Sequence, residues 1–593
     1  MQSKTKNILL LLGILFIAAC LRFYALDKFP PGLYPDEAVN ATDALQALEK
    51  EDLQAYYPNN NGREGLFINL LALSFKFFGV TINTLRMIPA IIGLLTILAV
   101  YLLGKEIINQ AGGLIASFLV AVSYWHLNFS RVGFRAILVP LVLSLSFYLL
   151  FKGYRILKNK NINKKSTKQR LKKAQGSIGQ FFQKIYSLYS ITGKTGKNKN
   201  GERTGRIYFL LAGLVFGIGF HTYLAFRVSP AIVVVFFLLI CLVNFRNRLE
   251  LKRLIIVPSL LFLLGTLLTA SPIFYHFFEN PEHLGARQND NSISVLDSKN
   301  NNGQLVLAVS KTFLQTFGQF FYKGDMNWRH NLPPNSQLFA PIALLFLVGI
   351  VYIFSKMIIG IIVVFKTSSK NKKADLSDDE VVKFGTILAW FLIMLSPAFL
   401  TVEGLPHALR SIGSLPVAYL IASIPLVFLL KRSYSLPSSS KKTAPFLGGL
   451  TKILVFSTLA LTLIYNSVNY FVIWGESTEA AHAFEKRLVN IGQYLGNSKK
   501  DNQYLIVNQE AKIIETGYPV SLETIKFFNY NKNKQVIYLH PEELNKIKMQ
   551  KDTEIILQKT DPELIKKLEY QYSLKAISIP DKTLPEIEFV ILR

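Results

Sequence analysis

Apolar runs close to twenty residues long recur along most of this 593-residue chain. In a helix, a run of that length spans the roughly 30 Å hydrocarbon core of a bilayer. Half of the residues are hydrophobic and only 18% are charged, against about a quarter in an ordinary soluble domain. The charged residues are gathered into blocks between the runs. The sequence therefore predicts a mainly α-helical, polytopic membrane bundle.

The charged loops between the runs indicate how the chain is threaded. About eleven spans are predicted, at 8–26, 84–104, 111–129, 136–152, 206–224, 227–245, 254–275, 336–365, 383–401, 411–430 and 448–470. With the amino terminus in the cytoplasm, the basic blocks fall in cytoplasmic loops, as the positive-inside rule requires. The largest, 153–205, has fourteen basic residues against one acid and is expected to be disordered. The expected location is the plasma membrane, with the carboxyl terminus outside.

The net charge of +28 raises the question of nucleic acid, because clustered Lys and Arg form the electrostatic footprint of its binding proteins. Here the basic residues lie between apolar runs, so membrane orientation explains them and we expect no nucleic-acid partner. The segment "IAAC", ending at Cys20, resembles a lipoprotein cleavage site. The apolar residues continue to Leu26, however, as in an uncleaved span. Under either interpretation residue 27 lies outside.

Two external loops and a tail surround the predicted spans. The membrane domain, 1–474, has external loops at 27–83 and 276–335. Within the first loop, 65–79 is apolar but short and contains Lys76, which suits an interfacial or re-entrant helix. Beyond residue 475, β-rich runs such as "QYLIVN" and "EIILQK" alternate with amphipathic stretches such as "DPELIKKLEY". This alternation predicts a small extracytoplasmic α/β domain over 475–593.

The external face is where the candidate functional residues gather. No phosphate-binding glycine loop, CxxC or HExxH motif occurs in the sequence. The adjacent acids Asp36 and Glu37 follow the first span, and further polar residues occur in the external segments: Arg63, Glu64, Arg131, Arg135, His221, Tyr223, Arg227, Arg287, His407 and Arg410. Arginine on the outer side runs against the positive-inside tendency. The arginines at the span ends therefore indicate an anionic ligand, unless they only pair with Glu64 or Glu403.

Carboxylates, arginines and a groove between spans suit a polyprenyl-phosphate sugar as ligand. The forked guanidinium matches phosphate oxygens, and an apolar groove suits the isoprenoid chain. One carboxylate within hydrogen-bond reach of an acceptor hydroxyl can act as general base. A leaving phosphate needs no general acid, unlike the leaving group of the two-carboxylate glycosidases. These features together favour a sugar transfer at the outer membrane surface.

Three stretches carry a family resemblance: "YPDEAVNATDALQ", "NGREGLFINLLALSFKFFG" and "SYWHLNFSRVGFRAI". They resemble membrane glycosyltransferases of the GT-C class, nearest to glycosyltransferase family 39, which contains protein O-mannosyltransferases and aminoarabinose transferases. The likeness covers about residues 8–235 and weakens afterwards. It implies a GT-C-like bundle, Asp36 as base with Glu37 as its partner, and Arg131 or Arg135 near the donor phosphate. Where many relatives have His-Pro-Pro, this chain has "GREGL", which leaves the acceptor class open.

The predicted function is an inverting hexosyl- or pentosyltransferase that moves a sugar from a polyprenyl-phosphate donor to a hydroxyl of a protein, lipid or polysaccharide. The expected phosphate ligands are Arg131, Arg135, Arg227 and Arg410, and the candidate substrate-binding residues are Arg63, Glu64, His221, Tyr223, Arg287 and His407. Three scattered acids are weak evidence for a metal, so no cofactor is predicted. Two alternatives stay open: a transporter or flippase of a lipid-linked sugar, and a non-catalytic assembly or sensor protein. Transporters tend to show repeats and mid-membrane charges, which this sequence lacks.

Overall fold

A computed structural model of the chain describes residues 2–158, 199–285, 294–366, 372–402, 404–435, 443–500, 502–509, 513–514, 517–530 and 536–593. Most of the predicted basic loop 153–205, and the candidate Arg287, lie outside these residues. Within them, ten helices are long and apolar enough to cross a membrane. The protein is therefore a multi-pass membrane protein, as its sequence predicts.

The helices follow the predicted spans closely, with additional shorter helices between them. In chain order the main ones are α1 Gln2–Phe23, α2 Pro35–Glu49, α3 Leu66–Phe78, α4 Ile82–Ile107, α5 Gln110–Val122, α6 Tyr124–Phe129, α7 Leu138–Lys158, α8 Lys199–Ile218, α9 Pro230–Asn244, α10 Val257–Glu279, α11 Leu305–Gly318, α12 Ala340–Lys366, α13 Lys372–Phe399, α14 Leu415–Ser435, α15 Thr443–Val468, α16 Lys486–Asn497, α17 Leu522–Asn529 and α18 Pro562–Tyr572.

One predicted span, 111–129, is not a continuous helix. It breaks at Ser123, whose backbone is extended and whose hydroxyl caps α6 by accepting a hydrogen bond from the His126 N–H at 3.1 Å. The two pieces still cross the bundle together. Gly113 of α5 packs against Gly104 near the end of α4, whereas Gly133, just beyond α6, donates its N–H to Glu37 in the first loop. The ten long apolar helices of the described residues and this broken helix together correspond in position to the eleven predicted spans.

Successive passes alternate between two ends of the bundle. At one end, the basic end, Lys158 pairs with Asp379 and Arg246 donates to the carbonyl of Phe365. At the opposite end, the site end, lie the first loop and the loops that follow α6, α8, α10 and α13. The polar residues that the sequence places between alternate spans are therefore brought to one end of the bundle.

The first loop is folded rather than extended. After α2, strand β1 Tyr56–Tyr57 pairs antiparallel with β2 Arg63–Glu64. The turn between them contains Asn60 and Gly62, which both have positive φ, a conformation that Asn and Gly tolerate best. The predicted interfacial segment 65–79 forms α3, which has thirteen residues and is too short to count among the spanning helices.

The loop predicted at 276–335 contains a helix that the sequence analysis missed. α11 carries large apolar side chains on its surface, with Val306 81% and Leu307 65% exposed. The run is shorter than a span and contains Lys311, so its length and charge hid it among loop residues. An apolar exposed helix of this kind is typical of a membrane-interface element.

The tail is the predicted α/β domain. Its mixed sheet has the order β4-β3-β5-β7-β6, built from β3 Asn502–Ile506, β4 Val536–Leu539, β5 Thr553–Leu557, β6 Ala576–Pro580 and β7 Glu588–Leu592. β3, β4 and β5 are parallel, and β7 joins them antiparallel. Helices α16 and α17 cover one face and α18 the other. β6 was missed because this edge strand is nowhere fully buried.

This domain packs directly on α2. Thr42 of α2 donates to Glu523 of α17 at 2.8 Å, and Thr524 donates to the carbonyl of Leu33 at 3.2 Å. Glu523 is completely buried at this contact. The tail therefore helps to fix the helix that begins with the acidic pair.

Candidate active site

Helix α2 begins where the acidic pair stands, and the local sequence explains why. Tyr34 has extended backbone, and Pro35 occupies the first helical position, which its fixed φ favours. Asp36 and Glu37 then lie in the first turn, where the helix dipole favours negative charge. Glu37 also accepts the Tyr34 N–H at 3.2 Å, as in a capping box. Because successive helical residues point in different directions, the two carboxylates are separated at the start of α2.

Glu37, the predicted partner of Asp36, lies in the protein interior and does not line the cavity described below. Its carboxylate accepts the Gly133 N–H at 2.8 Å and lies 3.4 Å from the Arg86 guanidinium. A Cβ on Gly133 would approach Leu85 to 2.7 Å and the Glu37 carboxylate to 3.3 Å. The absence of a side chain on Gly133 thus allows Glu37 to approach its backbone closely. The hydrogen bond between them holds α2 against the turn after α6.

Arg131, predicted to bind the donor phosphate, is also directed elsewhere. Its guanidinium is fully buried and donates to the carbonyls of Leu21, Arg22, Tyr24, Ala25 and Phe29 over 2.6 to 3.3 Å. Carbonyls at the end of a helix lack intrahelical partners, and Arg131 satisfies those in the last turn of α1 and in the residues just after it. The structure does not bring Arg131 to the cavity that contains Asp36, which corrects its placement as a phosphate ligand.

Asp36 lines a cavity of about 240 Å³ at the site end. Its Oδ1 accepts a hydrogen bond from Asn60 Nδ2 at 3.0 Å. Five other residues singled out from the sequence line the same cavity: Arg63, Arg135, Tyr223, His407 and Arg410. The structure thus brings together residues from four distant segments of the chain, while His221 instead contacts the carbonyl of Thr269 at 2.9 Å.

Two cavity arginines are held by buried acids. Arg63 pairs with Asp43 and donates to Asn40 Oδ1 at 2.7 Å. Arg135 lies 2.9 Å from Glu64, with its guanidinium above the Tyr223 ring. These buried pairs fix the shape of the wall, because breaking one would leave a charge without a partner.

The loop before α12 contributes four polar residues to the cavity that the sequence analysis did not single out: Asp325, Asn327, Arg329 and His330. Arg329 lies 4.3 Å above the Tyr34 ring and donates to Asn327. Among the described residues, no carboxylate forms an ion pair with Arg329. The available signal was the dense polar run "GDMNWRHN" in an external loop, which was interpreted only as loop sequence.

Two side chains in the cavity have shifted pKa values. Burial, with a further contribution from the Asp36 carboxylate, raises the pKa of Tyr34 to about 12. Tyr34 therefore keeps its hydroxyl proton at neutral pH and can donate it in a hydrogen bond. Burial, followed by the nearby His330, Arg410 and Arg329, lowers the pKa of His407 well below its usual value. His407 is accordingly a neutral imidazole at neutral pH.

An apolar groove between α9 and α13 contains an arginine that is linked to the cavity wall through an ion pair. It has a volume of about 570 Å³ and is lined by Arg227, Val228, Ala231, Leu392, Ile393, Ser396 and Phe399. Arg227 lies 3.6 Å from Glu64, the acid that also pairs with Arg135 in the cavity wall. A chain of three charged side chains thus joins the groove to the cavity.

Comparisons with known proteins identify a family model and solved structures that resemble this chain. Residues 66–163 match the dolichyl-phosphate-mannose-protein mannosyltransferase family. The oligosaccharyltransferase AglB of the archaeon Archaeoglobus fulgidus, solved with an inhibitory peptide and a dolichol-phosphate, has a TM-score of 0.50 at 13% identity. The same organism's enzyme tethered to an acceptor peptide scores 0.50 at 12% identity. Both alignments cover 90% of this chain and 64% of the other.

The chain has the GT-C glycosyltransferase fold. The resemblance to this class seen in the sequence is confirmed at the level of the fold. ArnT from Cupriavidus metallidurans, solved with undecaprenyl phosphate, scores 0.49 at 10% identity over 100% of this chain and 98% of its own. No curated protein sequence matches the chain. In this GT-C fold the family match begins at α3 and so excludes the acidic pair on α2.

Proposed function

We propose that the chain transfers a sugar from a polyprenyl-phosphate donor to an acceptor hydroxyl, with Asp36 as general base. The observation that carries this proposal is the state of the Asp36 carboxylate. It lines the cavity, it accepts a hydrogen bond from Asn60, and no cation pairs with it among the described residues. A carboxylate in this state is able to accept a proton from a bound hydroxyl.

In the proposed reaction, the acceptor oxygen forms a bond to the anomeric carbon of the donor sugar. Its proton passes to Asp36, the bond between the anomeric carbon and the phosphate oxygen breaks, and polyprenyl phosphate leaves with that electron pair. A single displacement of this kind inverts the anomeric centre. Arg329 and Arg410, both in the cavity wall, stabilise the charge of the leaving phosphate.

The groove between α9 and α13 is the proposed binding site for the isoprenoid chain. Its walls are mostly apolar, and Arg227 in its lining pairs with Glu64, which also pairs with Arg135 of the cavity wall. The Archaeoglobus fulgidus structure solved with a dolichol-phosphate supports a lipid-phosphate ligand for this fold. Arg135 and Arg227 both pair with Glu64, so we assign them to the wall between groove and cavity. Arg131 is not assigned to phosphate binding.

The site end is proposed to face the extracytoplasmic side of the plasma membrane. Lys158 and Arg246, which belong to basic stretches of the sequence, lie at the opposite end, and the positive-inside rule puts such stretches in the cytoplasm. The C-terminal domain then lies outside, above the mouth of the bundle. The acceptor is a hydroxyl of a protein, a lipid or a cell-envelope polysaccharide.

The deciding experiment measures release of polyprenyl phosphate by purified protein in detergent. The wild type is given a mixed pool of polyprenyl-phosphate sugars and native membrane extract as the acceptor source. We expect Asp36→Asn to reduce release by about 10²- to 10⁴-fold, the usual range for loss of a general base, with donor binding retained. The matched control is Asp52→Asn, an exposed acid of the same loop, which should keep the wild-type rate.

Two outcomes would contradict the proposal. One is wild-type turnover by Asp36→Asn. The other is donor binding by the wild type with no release under any donor and acceptor combination, which would favour transport of the lipid-linked sugar instead.

A further inference from the structure

Three side chains in the cavity wall bring metal-binding atoms close together. Asp325 Oδ2 lies 2.9 Å from His330 Nδ1 and 3.8 Å from His407 Nδ1. One ligand atom from each of the three residues lies within 4.8 Å of the other two. The residues come from two separate segments, the loop before α12 and the turn before α14, so the cluster exists only in the folded protein.

The carboxylate in this cluster is held in place by the backbone. Asp325 Oδ2 accepts the Ala408 N–H at 2.8 Å, and Oδ1 accepts the Asn327 N–H at 2.8 Å. Because Ala408 directly follows His407, the first bond fixes the distance between the two segments. Asn331 donates to the Asp325 carbonyl at 3.0 Å, and this hydrogen bond helps to hold the loop in its conformation. Such outer contacts orient the ligands in known metal sites.

An independent observation concerns the imidazole of His407. Its Nδ1 is inaccessible to solvent and has no hydrogen-bond partner among the described residues. An unsatisfied buried polar atom costs about 1 to 3 kcal/mol, so such an atom needs an explanation. Asp325 Oδ2 lies 3.8 Å away, which is beyond a hydrogen bond. A cation bound between the two atoms would give the His407 nitrogen a partner.

We propose that Asp325, His330 and His407 form a binding site for a divalent first-row metal ion, best matched by Zn²⁺. Two imidazole nitrogens and one carboxylate oxygen are a common donor set for Zn²⁺ with an exchangeable fourth position. With bonds of about 2.0 to 2.2 Å, tetrahedral ligand atoms stand roughly 3.3 Å apart. The two separations from Asp325 lie on either side of that value, and all three ligand atoms lie within 4.8 Å of one another, so the side chains draw closer together when the ion binds.

Metal binding here would replace the hydrogen bond between Asp325 and His330, since each ligand nitrogen must be deprotonated. The open position would be filled from the cavity, which Asp36 and Arg329 also line. Arg329 and Arg410 repel a cation, so an anion in the cavity strengthens the site. The three scattered acids that the sequence offers as weak evidence for a metal are Asp36, Glu37 and Glu64, and they do not belong to this cluster.

The test measures metal retention and needs no substrate. Full-length protein in detergent is stripped with chelator and then loaded separately with Zn²⁺, Co²⁺ or Mn²⁺. We expect about one Zn²⁺ per chain by elemental analysis after dialysis, and visible absorption typical of tetrahedral Co²⁺. His330→Gln and His407→Gln should each weaken binding at least about tenfold, since even outer-sphere changes have effects of that size.

The control variant is His283→Gln, in which the changed histidine stacks on Tyr56 and His276 outside the cavity. It should bind metal as the wild type does. The proposal fails if the loaded wild type retains no ion, or if both cavity variants keep wild-type affinity; the cluster is then only a hydrogen-bonded brace. Melting curves of each variant identify loss of folding, and because no turnover is measured the transferase proposal is tested separately.

Discussion

Arg131 and Arg329 are both at the site end of the bundle, but they serve different purposes. Arg131 binds five carbonyls in the last turn of α1 and just after it, about a hundred residues earlier in the chain. Arg329 lines the cavity without an acidic partner among the described residues. In the sequence, Arg131 stood out because it lies at a span end, whereas Arg329 was hidden in a polar loop. Their different placements depend on contacts between distant segments, which sequence position does not reveal.

Replacing each arginine with methionine should separate the two purposes. Arg329→Met should weaken donor binding by about 10- to 100-fold, the effect of losing one charged hydrogen bond of about 1.5–3 kcal/mol, with little change in melting temperature. Arg131→Met should lower stability by about 3 kcal/mol or more, because several buried carbonyls lose their donor. Equilibrium dialysis with a labelled polyprenyl phosphate and thermal unfolding measure the two effects. Stable Arg131→Met protein that cannot bind donor would contradict this assignment.

Asp36, Arg63 and Arg410 could be singled out from the sequence because charged residues beside apolar runs are conspicuous. That reasoning cannot separate a residue that lines a cavity from one buried beneath it, as Glu37 illustrates. Whether such a residue lines the cavity or is buried beneath it depends on the direction of its side chain at the start of the helix. Here the contacts of Glu37 with Gly133 and Arg86 turn its side chain into the interior.

Among the helices, the spans were predictable because an apolar run of sufficient length is a local property. The break at Ser123 and the short helix α11 were not, since each depends on neighbours in space. Helix α2 shows the same limit. Its sequence contains both polar and small residues, and much of its burial comes from α3 and from α17, nearly five hundred residues later in the chain.

The contact between α2 and α17 should therefore matter for catalysis although it lies outside the cavity. Glu523→Ala removes a buried carboxylate that binds Thr42 and Lys526, and we expect a stability loss of about 1.5–3 kcal/mol at this contact. Hydrogen exchange of α2 amides should become faster, and the transfer rate should fall more than donor affinity.

The control for that variant is Glu586→Ala, an exposed acid in the loop before β7, which should change neither quantity. Unaltered exchange in α2 after Glu523→Ala would mean that the domain does not stabilise the helix. The experiment thus separates a supporting role of the tail from mere proximity.

For the whole molecule, a multi-pass threading was predictable because long apolar runs are separated alternately by strongly basic blocks and by loops with mixed charge. The structure adds that the passes end alternately at the basic end and the site end. The chain path alone does not assign these ends to the two sides of a membrane. Sidedness therefore requires a separate measurement.

Single cysteines can provide that measurement once Cys20 and Cys241 are replaced by serine. Tyr570→Cys in the C-terminal domain and Leu249→Cys between α9 and α10 occupy positions that are 93% and 81% exposed. In intact cells, a membrane-impermeant maleimide should label Tyr570→Cys at once, and Leu249→Cys only after permeabilisation. The reverse pattern would place the cavity in the cytoplasm.

The cavity draws its charged residues from both sides of the segment 159–198. Asp36, Arg63 and Arg135 precede that segment, whereas Asp325, Arg329 and Arg410 follow it. A polypeptide that stops within the segment carries Asp36 but not Asp325, and two of the four cavity arginines, so we expect it to be inactive rather than partially active. Turnover by this protein would therefore require that both halves have been synthesised, inserted into the membrane and packed against each other.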